Sequence, residues 1–69
     1  MNLIINGETR AVSAETLSAL VEQLGMRPER VAIELNRDIV PRDRWTETRL
    51  KEGDRLEMVH FVGGGSALA

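Results

Sequence analysis

A chain of 69 residues makes one domain and no more, with a core that leaves only about 3–5 kcal/mol of net stability and no bulk for a walled catalytic cleft. Nine basic and eleven acidic residues are interspersed without a basic stripe, and the aromatics are Trp45 and Phe61 alone. That argues against a partner made of nucleic acid, and the absence of cysteine excludes disulfides, thiolate nucleophiles, persulfides and thiolate metal sites.

Along the chain, residues 2–5 read as a strand, Asn6-Gly7 as a type I′ turn with positive φ at both central positions, and residues 8–12 as the returning strand. Leu17, Leu20, Val21 and Leu24 fall at i, i+3, i+4 and i+7, one face of a helix. Ser13 and Thr16 compete for its N-cap, and Glu15 suits the positive end of the dipole if Ser13 is the cap. Gly25 is placed to end the helix, with Met26 closing back on Val21.

Pro28 stops helical continuation. Val31, Ile33 and Leu35 then alternate with Ala32, Glu34 and Asn36, a strand with one buried face. Residues 36–38 read as a turn and Ile39-Val40 as a short strand stopped by Pro41. Residues 42–47 fit one helical turn or an irregular connection, and residues 51–54 a turn. The last strand, residues 56–61, sets Leu56, Met58 and His60 on one face and Glu57, Val59 and Phe61 on the other. The order β-β-α-β-β-turn-β makes a mixed sheet of about five strands with one helix packed on it, an α+β arrangement best matched by the ubiquitin-like β-grasp.

The longest apolar runs, residues 3–5 and 39–40, are far short of a membrane span. The start leads straight into a strand with no cationic n-region, so a soluble, cytoplasmic protein is expected. A domain over residues 1–62 and a flexible tail over residues 63–69 are expected.

No catalytic constellation is legible. His60 is the only histidine, so a histidine metal cluster is impossible and a triad would need a second protein. It reads either as a general acid–base group or, more blandly, as a strand residue near the sheet edge. No glycine-rich segment follows a strand and opens a helix, so phosphate cradles are missing. Glu22, Glu34 and Asp54 look like solvated surface, and Trp45 reads as packing on the sheet edge or as an interface anchor.

The chemistry concentrates at the end of the chain. Val62-Gly63-Gly64-Gly65 follows a strand of high β propensity, and three glycines in a row resist ordering because glycine has the most backbone freedom to lose. They are either a frayed terminus or a thread that enters a channel too narrow for any side chain. Residues 62–65 would reach about 14 Å extended. Val59 and Phe61, opposite Leu56 and Met58, form an apolar docking patch beside that tail unless the sheet is covered on both faces.

Ile39-Val40-Pro41-Arg42 followed by Trp45, then Leu50, Gly53-Asp54 and Val59-His60-Phe61-Val62-Gly63-Gly64-Gly65, resembles the ThiS family of sulfur carriers. The opening strand with Asn6-Gly7 and the Thr16-Leu17 helix are also similar, so the likeness covers residues 1–65. It implies a β-grasp carrier with no activity alone and no bound cofactor. A ThiF-like adenylating enzyme of the ubiquitin-activating type would spend ATP to convert the Gly65 carboxylate to an acyl-adenylate. Sulfur from a cysteine desulfurase would then replace AMP to give a thiocarboxylate, and a ThiG-like thiazole synthase would take that sulfur for thiamine. Gly65 is the acceptor on this reading, Gly63 and Gly64 enter the partner's active site, and Val59, Phe61 and Val62 dock the partner. A backbone sulfur handle also fits a chain without cysteine.

The family pattern ends at Gly-Gly, whereas Ser66-Ala67-Leu68-Ala69 continue this chain. An amide at Gly65 cannot be adenylated, so either a protease exposes Gly65 or the four residues are an addition to the natural chain. Three alternatives remain open: the MoaD-like small subunit of molybdopterin synthase, a ubiquitin-like protein modifier, and an inert β-grasp interaction domain. The chain alone is expected to be a monomer.

Overall fold

The computed structural model describes residues 1–61. Strands β1 (Asn2–Ile5) and β2 (Glu8–Ala11) form the expected hairpin, with Asn6 at φ 50° and Gly7 at φ 84° in its turn. Leu3 and Ile5 point into the core, while every residue of β2 is exposed at the sheet edge.

Helix α1 (Leu17–Gln23) buries Leu17, Leu20 and Val21, three of the four residues whose spacing predicts the helix. Thr16 is its N-cap: Ala19 N donates to Thr16 Oγ1 at 3.1 Å. Glu15 therefore lies outside the first turn and pairs with Arg49 at 3.0 Å. At the other end Gly25, at φ 72°, donates to Glu22 O, and Met26 N donates to Val21 O at 3.0 Å. This is the Schellman closure that Gly25 and Met26 predict.

A 3-10 turn over Pro28–Arg30 leads into β3 (Val31–Leu35), which Asn36-Arg37 connects to β4 (Asp38–Ile39). A second 3-10 turn, Arg42–Arg44, replaces the single helical turn considered for residues 42–47 and ends at Trp45. Strand β5 (Arg55–His60) completes a five-stranded sheet in the order β2-β1-β5-β3-β4. β5 runs parallel to β1 and antiparallel to β3, so the last strand lies in the middle. The mixed sheet of five strands with one helix is the β-grasp arrangement.

Leu3, Ile5, Val31, Ile33, Leu56 and Met58 meet Leu17, Leu20 and Val21 from the helix in one core. Full burial of such side chains contributes about 1.5–3 kcal/mol each. Trp45, only 3% exposed, belongs to this core and donates Nε1–H to Val40 O at 2.9 Å. Its role is packing, and its one polar atom is satisfied. No helix among the described residues is long and apolar enough to cross a membrane.

Candidate functional site

The helix covers one face of the sheet. On the other, strict alternation sends Ala32 and Glu34 of β3, and Arg55, Glu57 and Val59 of β5, out to solvent. Val59 is 44% exposed, so although β5 is mid-sheet it is covered on one face only. Ile39, the outward residue of β4 and 75% exposed, joins the patch. Together Ala32, Ile39 and Val59, with Glu34 and Glu57, line a shallow apolar hollow of about 110 Å³.

Ile39 carries no site assignment in the sequence reading. Its signal lies in the register: Ile39 pairs with Glu34, an outward position, so its side chain emerges on the open face. Glu34 and Glu57 are themselves direct partners across β3 and β5. Like charges so placed repel, and among the described residues neither takes part in an ion pair. A second hollow of about 460 Å³ opens beside them, lined by Glu34, Arg37, Arg55 and Glu57.

Two turn asparagines fix β5, one from each side. Asn6, after β1, donates Nδ2–H to Met58 O at 3.1 Å and accepts Met58 N–H on Oδ1 at 2.8 Å. Asn36, after β3, accepts Arg55 N–H on Oδ1 at 3.0 Å and donates Nδ2–H to Asp54 Oδ1 at 3.1 Å. Asp54 is buried at 3% exposure, although its residue type reads as solvated surface. It also accepts from Lys51 N at 2.9 Å and Lys51 Nζ at 3.1 Å. Burial pushes its carboxyl up, but the Asn36 amide, the Lys51 backbone N–H and the Lys51 ammonium together hold it below the ordinary value.

β5 ends at His60, which pairs with Val31 and is exposed. Alternation assigns His60 to the inner face, but it lies past the edge of the core. Phe61 is half-buried and donates its N–H to Arg30 O at 2.6 Å, continuing the ladder by one bond. Val62, Gly63, Gly64 and Gly65 lie outside the described residues. Within those described, no group of three or more His, Cys, Asp or Glu side chains could hold a metal ion. No buried side-chain polar atom among them lacks a hydrogen-bond partner. The arrangement leaves one sheet face exposed, with Val59 and Ile39 on it, and a central strand that the sequence continues into a glycine run.

Known proteins share this fold and sequence. The model of the ThiS family matches residues 3–65. The sulfur carrier protein ThiS of Escherichia coli is 30% identical over 66 residues, spanning 94% of this chain and all of that protein. A thiazole synthase of Paramagnetospirillum magneticum is 46% identical over 67 residues, or 96% of this chain. The chain spans about a fifth of that synthase, 21% of its length. The crystal structure of the thiamine biosynthesis protein ThiS from Geobacter metallireducens superposes with a TM-score of 0.77 at 36% identity, over 94% of this chain and 100% of that one. A family match across nearly the whole domain, a full-length relative and a shared fold make this chain a member of the ThiS family.

Proposed function

We propose that this protein is a sulfur carrier of thiamine biosynthesis, a co-substrate that partner enzymes act upon. The observation that carries the reading is its end-to-end match to a sulfur carrier protein, combined with a central strand that leads toward Gly63-Gly64-Gly65.

The chemistry follows from the carboxyl group. A carboxylate is a poor acyl donor until it has a leaving group. Attack of the Gly65 carboxylate on the α-phosphorus of ATP, in a ThiF-like enzyme, expels pyrophosphate and leaves an acyl-adenylate. A persulfide supplied through a cysteine desulfurase adds to the carbonyl and displaces AMP. Reduction of the resulting acyl disulfide by a thiol leaves the thiocarboxylate. Because Gly65 is followed by Ser66, hydrolysis of the Gly65–Ser66 peptide bond has to come first.

Val59, Phe61 and Val62, with Ile39 added from the open face, form the docking surface on this reading. A ThiG-like thiazole synthase is the proposed acceptor of the sulfur. The reading is supported by a homologous segment that forms about a fifth of a protein named thiazole synthase. Use of ATP by the partner fits a cytoplasmic setting.

The deciding experiment is the intact mass of the untagged protein after co-expression with its ThiF-like enzyme and a sulfur donor. The expected species ends at Gly65 with one oxygen replaced by sulfur. A chain that is cut at Gly65 yet never gains sulfur, with active partners, would remove the carrier reading.

A further inference from the structure

Asn6 and Asn36 share a left-handed backbone, at φ 50° and φ 51°, and both bind β5 through their carboxamides. They differ in the next residue along the chain, which is Gly7 for Asn6 and Arg37 for Asn36. That difference matters because an asparagine carboxamide is open to attack by the next backbone nitrogen. Deprotonated Gly7 N adds to Asn6 Cγ, Nδ2 leaves as ammonia, and a five-membered succinimide closes. Water then opens the ring at either carbonyl to give aspartate or isoaspartate. The net change is one ammonia lost and one water gained.

A side chain on the following residue hinders this ring closure, and glycine has none. A Cβ built at Gly7 would meet nothing within 4 Å, so the turn is open where that side chain would stand. Asn6 itself is exposed.

We propose that Asn6 is a deamidation site of this chain, restrained in the folded state by its grip on Met58, and that conversion loosens β5. To reach Gly7 N the carboxamide must release both Met58 bonds. Two hydrogen bonds of ordinary net strength slow that release by about thirtyfold. The product cannot restore both. An aspartate has no N–H for Met58 O and brings a carboxylate oxygen to the place where Nδ2 donates at 3.1 Å. An isoaspartate adds a methylene to the main chain inside a two-residue turn, against the Ile5–Glu8 register. Either product takes the formal net charge from −2 to −3 beside the strand that ends at His60.

The test is to age the purified full chain at mildly alkaline pH, in buffer and in guanidinium chloride, and then to map tryptic peptides by mass. Asn6 falls in the peptide of residues 1–10, where fragment ions separate it from Asn2, and Asn36 falls in that of residues 31–37. In denaturant, Asn6 is expected to convert well ahead of Asn36. In buffer, Asn6 is expected to convert about thirtyfold more slowly than in denaturant. The acidic form, separated by ion exchange, is expected to melt below the parent. Equal rates at Asn6 in buffer and denaturant would overturn the restraint by Met58. Equal rates at Asn6 and Asn36 in denaturant would overturn the selection by Gly7. An acidic form as stable as its parent would overturn the loosening of β5.

Discussion

Asn6 grips Met58 through both polar atoms of one residue: Nδ2 reaches the carbonyl at 3.1 Å and Oδ1 receives the amide at 2.8 Å. The side chain behaves as an extra backbone unit, prolonging the β1–β5 ladder past its last pair, Ile5 and Leu56. From the β3 side Asn36 holds β5 by one such bond, accepting Arg55 N–H on Oδ1, and gives its Nδ2–H to Asp54. Asn6→Gly keeps the positive φ at no steric cost and deletes the carboxamide. We expect a loss of about 1–3 kcal/mol, from two missing bonds and a partly buried Met58 backbone left to water. Urea unfolding with an unchanged m-value is the measurement, and a midpoint equal to the parent's would show that the ladder does not depend on Asn6.

Asp54 is expected to contribute to the acid limb of stability. Its folded carboxyl lies below the ordinary 3.8, so the unfolded chain binds the proton more tightly. The contribution is therefore complete well above pH 3.8 and drains away as pH falls below that value toward the folded pKa. The urea midpoint is expected to hold from pH 7 to about 5 and then drop. Asp54→Asn should start lower at pH 7, having lost its charge-assisted bonds, and should show a shallower acid limb. An unchanged limb in that variant would assign the acid response to other carboxylates.

Arg37 occupies φ 77° in the β3–β4 turn, a conformation that costs a residue with a Cβ about 1–2 kcal/mol. Glycine removes that strain but adds freedom to the unfolded chain. Arg37→Gly is expected to gain about 0.5–1 kcal/mol, a rise in Tm of about 2–8 °C for a domain of this size. A fall would mean that the Arg37 side chain, at the rim of the hollow with Glu34, Arg55 and Glu57, contributes more than the strain.

Ile39 is the most exposed large apolar residue described. Ile39→Lys should leave thermal stability within about 0.5 kcal/mol, as exposed substitutions usually do. It should weaken binding to the ThiF-like enzyme about tenfold if that partner sits on the open face. Titration calorimetry with both proteins reads this directly. Undiminished affinity would move the docking surface elsewhere.

Gly64 tests the tail independently of the sheet. In a chain ending at Gly65, Gly64→Trp is expected to abolish adenylation, read as pyrophosphate release, with no shift in Tm. Normal pyrophosphate release would show that the partner's channel is wide.

The strands and helix were legible because burial imposes its period on the chain. Leu3 and Ile5, Val31 and Ile33, and Leu56 and Met58 alternate as strands must, and Leu17, Leu20 and Val21 recur at helical spacing. Turns were legible where glycine or asparagine was needed for positive φ. What turn chemistry does not encode is where the carboxamide goes next. Asn6 and Asn36 read as turn formers, and their bonds to β5 depend on partners 52 and 19 residues later, Met58 and Arg55. For the same reason Asp54 reads as surface until Asn36 and Lys51 close on it. The open face at Val59 depended on sheet order, which no local pattern carries. Thr16 prevailed over Ser13 as cap because its hydroxyl sits three residues before Ala19, where the helix presents a free N–H.

The central place of β5 has a mechanical side. A partner that draws the chain forward beyond Phe61 pulls along the strand axis, and that load falls first on the β3 ladder, which holds β5 from Leu56 to His60, and behind it on the short β1 ladder at Arg55 and Leu56. The bonds on either flank are loaded in shear, along the strand, and are not peeled open from an edge. On the carrier reading proposed above, a partner can draw on the end of the chain while the rest of the domain stays folded.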